Sequence, residues 1–172
     1  VKNTIVPTTV ERRMREDDFI VSKTDLHGHI TYGNRIFIEF SGFSESELLG
    51  SQHNIIRHPD MPRALFQSLW DSIQDGREHF AYIKNLARDG SYYWVFASIA
   101  PSYDHNGQVV GYFSVRRKPK EDGVRFFSDL YRTMLVAEHQ AGPHDAIAAS
   151  RKVLDELLDA KDATYDEFVL SF

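Results

Sequence analysis

The stretch Gln52-His53-Asn54-Ile55-Ile56-Arg57-His58-Pro59-Asp60-Met61-Pro62 gathers more chemistry than any other part of the chain. Arg57 carries a planar guanidinium with five fixed donors, a fork that suits phosphate oxygens better than a lysine ammonium does. His53 and His58 can each donate a ring N–H to an anion or a hydroxyl. An anion repels a carboxylate, so Asp60 is suited to hold Arg57 or His58 in place. Each residue also has a plainer reading. Arg57 is equally an ordinary surface cation, and Asp60 ahead of Met61-Pro62 is a good helix N-cap with Pro62 in the first turn. His53 and His58 lie five residues apart with no further ligand at metal spacing, so no metal site is implied.

Composition narrows the classes further. The 172 residues are 42% hydrophobic and 13% aromatic, enough for a packed core. A net charge of −5 argues against a nucleic-acid module, which usually shows a basic face. With no cysteine there is no disulfide, thiolate nucleophile or iron–sulfur cluster. No apolar run reaches the roughly 18 residues that a membrane span needs, and no basic-then-apolar leader opens the sequence, so the expectation is a cytoplasmic protein. No nucleophile–base motif or phosphate-binding glycine loop is present, and an enzyme is not expected.

Three zones must position these groups. Residues 1–18 are polar, and the run from Val10 to Asp17 reads as a short charged helix capping a sheet. Residues 19–120 alternate short strands and helices. Phe19 to Asp25 and Gly28 to Tyr32 form a hairpin. Asn34 N-caps a helix with Ile36, Phe37 and Phe40 on one face, ended by Gly42. Ser44 to Glu47 is a capping box opening a second helix, closed at Gly50. After the irregular stretch, Leu65, Leu69, Trp70 and Ile73 stripe a longer helix that stops at Gly76. Three strands follow: His79 to Leu86, Ser91 to Ala100 and Gln108 to Arg116, turned at Arg88-Asp89-Gly90 and Asp104 to Gly107. The fold class is α+β, a five-stranded antiparallel sheet with short helices on one face. Residues 121–172 are a helical extension broken at Gly142-Pro143, its stripes packing on the sheet or across a homodimer.

The element order, together with the string from His53 to Pro62, resembles the PAS domain of bacterial aerotaxis receptors. Thr24-Asp25-Leu26, Ile30-Thr31-Tyr32-Gly33-Asn34, Ile83-Lys84-Asn85, Arg88-Asp89-Gly90 and Tyr93-Trp94-Val95 also match that family's strands. The resemblance covers about residues 18–135; beyond it the receptors continue to a membrane anchor and a signalling domain, which are not seen here.

The resemblance implies a non-covalently bound FAD that reports redox state or oxygen. A flavin dinucleotide asks for aromatic walls, hydrogen bonds to the ring edge, and cations for its pyrophosphate. The cofactor-binding candidates are then Asn34, His53, Arg57, His58, Asp60, Trp70, His79, Asn85 and Tyr93. Asn34 and Asn85 offer amides to the ring edge, with helix capping the plainer role of Asn34. Tyr82, Trp94 and Phe96 are further aromatic candidates, but strand alternation lets only one of the sets Tyr93/Val95 and Tyr92/Trp94/Phe96 face the ligand. His79 stands where flavin-bearing relatives often carry tryptophan. The absence of cysteine excludes a cysteinyl–flavin photoadduct. Two alternatives stay open: a haem oxygen sensor ligated by His53, His58 or His79, and a ligand-free dimerisation module. A homodimer and an unidentified downstream signalling protein are the expected partners, with neither nucleic acid nor membrane.

Overall fold

A computed structural model describes residues 4–172. In it, β1 (Ile20–Thr24) and β2 (Ile30–Gly33) form the first hairpin, followed by α1 (Arg35–Ser41) and α2 (Glu45–Leu48). A 3-10 turn at His53–Ile56 leads to α3 (Arg63–Gln74), and β3 (His79–Leu86), β4 (Tyr92–Tyr103) and β5 (Val109–Arg117) complete the sheet. Then come α4 (Glu121–Lys161) and α5 (Tyr165–Val169). The sheet is antiparallel throughout, in the order β2-β1-β5-β4-β3, so the first and last strands pair at its centre.

Local chemistry sets many of these boundaries. The Asn34 side chain accepts from the Phe37 N–H at the start of α1, and Gly42 ends that helix in the left-handed region. Ser44 and Glu47 close the reciprocal capping box of α2. The start of α3 differs from expectation. Its N-cap position is Pro62, whose ring carries no acceptor, and Asp60 does not cap. Glu138 of α4 does so from across the molecule, accepting the Arg63 N–H at 2.7 Å.

The N-terminal cap is also different. Of the expected cap, residues 1–3 lie outside the described residues, and the charged run at 10–17 is not helical: it bridges at Glu11 and turns at Glu16-Asp17. β5 pairs with β4 only as far as Phe96, which leaves the backbone of Tyr92 open on that side. The N-terminal segment fills the gap: Tyr92 N–H donates to Val10 O at 2.9 Å and Arg12 N–H to Tyr92 O at 2.8 Å. A ladder position that would otherwise lack a partner outweighs the helical propensity of this run.

The helices α1 to α3 cover one face of the sheet. On the other face, Tyr82 stacks on Phe127 at 5.0 Å between ring centres and Trp94 lies against Tyr131 at 6.3 Å. Burial of Phe127 and Met134 in this layer contributes ~1.5–3 kcal/mol each. At Gly142 the backbone leaves helical geometry (φ 78°, ψ 172°), and the rest of α4 turns back toward α3. The extension therefore packs on its own sheet. β3 is an edge strand, and its free side is covered: Tyr165 Oη donates to Phe80 O at 2.8 Å, Tyr131 Oη to Tyr82 O at 2.7 Å and Lys84 N–H to Met61 Sδ at 3.3 Å, while the backbone of Arg57 bridges to Asn85.

Candidate functional site

Between α3, the 3-10 turn and the sheet lies a cavity of about 240 Å³. Alternation along the strands puts Ser22 of β1, Ile99 of β4, Ser114 and Arg116 of β5, and Ile83 and Asn85 of β3 on its floor. Register aligns them, with Ser22 opposite Ser114 and Ser114 opposite Ile99. Ile56, Phe66, Leu69, Trp70 and Ile73 form the opposing apolar wall.

Backbone bonds fix the 3-10 turn across this space. His53 N–H donates to Gly28 O at 3.0 Å, and Arg57 bridges to Asn85 on β3. Gly28 sits at φ +83°, and a Cβ there would lie 3.2 Å from the Trp70 indole. Only glycine suits both the left-handed backbone and the close approach of Trp70. That ring in turn stands edge-on to Tyr112 at 5.6 Å.

The polar groups form an unusual set. Arg116 is 2% exposed, donates to Ser22 Oγ and lies over the Phe37 ring at 4.8 Å. Its Nε has no partner, and neither do Asn85 Nδ2 and Tyr93 Oη. Burial pulls the Arg116 pKa down to about 10, which leaves it charged at neutral pH. His53 Nε2 shares a hydrogen bond with Ser22 Oγ at 2.9 Å, and burial together with Arg116 lowers its pKa to about 3, so the ring is neutral. Arg57 lies over Phe66 at 4.2 Å and donates to Met61 O at 3.3 Å.

A family model described as the PAS fold matches residues 30–134. The chain belongs to the PAS family. Over 144 residues it is 31% identical to the aerotaxis receptor of Escherichia coli strain K12, covering 84% of this chain and 28% of the receptor. The nitrogen fixation regulatory protein of Klebsiella pneumoniae is 29% identical over 97 residues, 56% of this chain and 20% of that protein. The chain thus spans less than a third of either relative. A solved light-oxygen-voltage domain, studied with a flavin analogue, superposes with a TM-score of 0.56 at 26% identity, covering 64% of this chain and 83% of that one. A receptor, a regulator and a light-oxygen-voltage domain place this PAS module among sensory domains. Among the described residues no helix is long and apolar enough to cross a membrane.

Four of the candidate residues, His53, Arg57, Trp70 and Asn85, line the PAS cavity together. Five do not. Asn34 spends its amide on structure, accepting from Val21 N–H and Phe37 N–H and donating to Phe19 O. His58 is buried beside Tyr92, and its Nδ1 accepts the Asp60 N–H. Asp60 pairs with Lys84 Nζ at 2.7 Å. His79 lies behind the wall, stacked on Tyr165 at 5.2 Å, with its pKa lowered by burial to about 4. Tyr93 points to the cavity face but packs against Phe40. Tyr82, Trp94 and Phe96 face away from the cavity, the first two toward α4. Sequence reading missed Ser22, Ser114 and Arg116; the signal available was the run Tyr112, Ser114, Arg116 at strand period, a polar stripe on a central strand.

Proposed function

We propose that this module senses redox state or oxygen through FAD held non-covalently in the cavity, and passes the change to α4 and α5. The observation that carries the reading is an apolar-walled cavity whose unpaired polar atoms, Asn85 Nδ2 and Arg116 Nε, are donors. A flavin ring offers carbonyl and nitrogen acceptors along one edge and apolar faces on both sides, which matches that wall. At about 240 Å³ the space lies just below the ~300 Å³ where ligand cavities usually begin, a size for one fused-ring system with the dinucleotide tail outside it. When bound, the flavin supplies reversible uptake of electrons. Asn85 and Arg116 would hold the ring edge, Trp70 and Phe66 would exclude water from its faces, and Arg57 would take a phosphate of the tail. β3 carries Asn85 into the cavity and also holds Tyr131 and Tyr165 through its carbonyls, so a shift in Asn85 bears on both helices.

The test is the absorption spectrum of the purified protein, followed by release and chromatography of the chromophore. Oxidised-flavin bands and released FAD are expected, with Asn85→Ala and Arg57→Ala lowering flavin content. An intense Soret band would establish haem instead, for which His53 is the histidine on the cavity wall. Colourless protein that takes up no added flavin overturns the reading in favour of a ligand-free module.

A further inference from the structure

The cavity holds buried positive charge with no negative charge to meet it. Arg116 reaches the hydroxyl of Ser22 and the face of Phe37, both neutral. The titratable group that favours its charge is the phenol of Tyr93, itself un-ionised, with its pKa pushed up to about 12 by burial. No ion pair involving Arg116 forms among the described residues, although carboxylates pair readily elsewhere in the chain. A buried guanidinium left without an anion is strongly unfavourable. Desolvated ionisable groups of this kind cluster at functional sites, where a bound group can bring the compensating charge. Arg57, in the same wall, adds a second cation.

Resting on the flavin reading, we propose that Arg116 is the counter-ion of the reduced ring, which is therefore held in this cavity as an anion. The oxidised ring takes two electrons from an external reductant and one proton, which goes to N5. N1 stays unprotonated, and the charge left on the N1 edge is paired with Arg116, with Asn85 Nδ2 donating beside it. In the same buried surroundings without a facing cation, desolvation disfavours the charge at N1 and draws a second proton there. The groups facing Arg116 are Ser22 from β1, Phe37 from α1, His53 from the 3-10 turn and Tyr93 from β4. Neither His53, at about 3, nor Tyr93, at about 12, titrates near neutrality. Between pH 6 and 8 the proton count of reduction therefore reports the ring alone.

The experiment is a reductive titration of the flavin-loaded protein with dithionite against reference dyes, giving the two-electron midpoint potential from pH 6 to 8. One proton per two electrons gives a slope of about −30 mV per pH unit, and two protons about −59 mV. The wild type is expected at the shallower slope, Arg116→Lys likewise, and Arg116→Gln at the steeper one with a more negative potential at pH 8. A wild-type slope near −59 mV per pH unit, or an Arg116→Gln slope still near −30, overturns the proposal. If Arg116→Gln does not fold by circular dichroism or does not hold flavin, the wild-type and Lys slopes still decide it. Failure of the underlying reading is seen separately, as protein without flavin absorption before any titration begins.

Discussion

Truncating Glu138 to alanine removes the carboxylate by which α4 caps α3. The group is 6% exposed and accepts two hydrogen bonds, from Arg63 N–H at 2.7 Å and from Ser150 Oγ at 2.8 Å. A hydrogen bond to a charged acceptor contributes ~1.5–3 kcal/mol, and an anion partly buried at a helix N-terminus up to ~2 kcal/mol. These overlap, because the Arg63 bond is itself the cap. Ser150 keeps a weak second acceptor in Ile147 O at 3.4 Å, which softens its loss. The expected cost is about 3 kcal/mol, or a fall in Tm of roughly 6–12 °C for a chain of this length. Glu138→Gln retains an acceptor oxygen and should lose only about 1 kcal/mol. Glu156→Gln, exposed on the same helix, is the control and should stay within ~0.5 kcal/mol. Urea unfolding and thermal melts followed by circular dichroism measure all three. Equal losses for Glu138→Ala and Glu156→Gln would refute the cap.

Gly123→Ala places a Cβ 2.2 Å from the Tyr82 ring, which stacks on Phe127 and has little room to swing; a loss of ~1–3 kcal/mol and an altered near-ultraviolet dichroism spectrum are expected. Asn34→Ala should cost about 2 kcal/mol in urea unfolding while leaving flavin content per folded molecule unchanged, since its amide bonds only to backbone. Burial lowers the pKa of His53 to about 3 and of His79 to about 4, and burial with Lys84 lowers that of His58. As pH falls below ~6.5 the unfolded chain binds these protons first, so stability is full at neutral pH and declines toward pH 4. His79→Phe preserves the stack on Tyr165, and its urea-derived stability should change by about 2 kcal/mol less than that of the wild type between pH 7 and 5. An undiminished pH dependence would contradict this.

What the sequence disclosed was local. Asn34, Gly42 and the Ser44–Glu47 box each set a boundary through bonds to residues within four positions, and such bonds can be read from spacing. The errors came from distant partners. Asp60 carries every sign of an N-cap, but Glu138 arrives from 75 residues away and Asp60 turns to Lys84 instead. The charged segment at 10–17 has helical composition, and no local signal shows that β5 stops short of Tyr92. Part of the site was legible: His53 and Arg57 in the contiguous 52–62 string, Trp70 on its helix stripe and Asn85 on its strand. The rest, Ser22, Ser114 and Arg116, is spread over two strands, and these meet only once β1 and β5 pair. Arg116 beside Arg117 reads as a strand end running into solvent; the register makes the first buried and the second exposed.

The same long-range contacts decide what the extension can do. α4 and α5 are not part of the sheet's hydrogen-bond ladder. They are held to the edge strand β3 by two tyrosine hydroxyls and by ring contacts around Tyr82 and His79, and to β4 by the contact of Tyr131 with Trp94. Around the side of the sheet, Glu138 ties α4 to the start of α3, next to the loop that carries Arg57. None of the β3–β4 pairs, which run unbroken from His79 to Leu86, depends on these helices. The extension can therefore loosen while the cavity floor stays intact. If it were instead a sixth strand, its release would strip backbone groups from the sheet, and each would need a new partner. On the function proposed above, attachment by side chains rather than by backbone would let a loosened packing lie close in energy to this one, and a small change at Asn85 would bias the two.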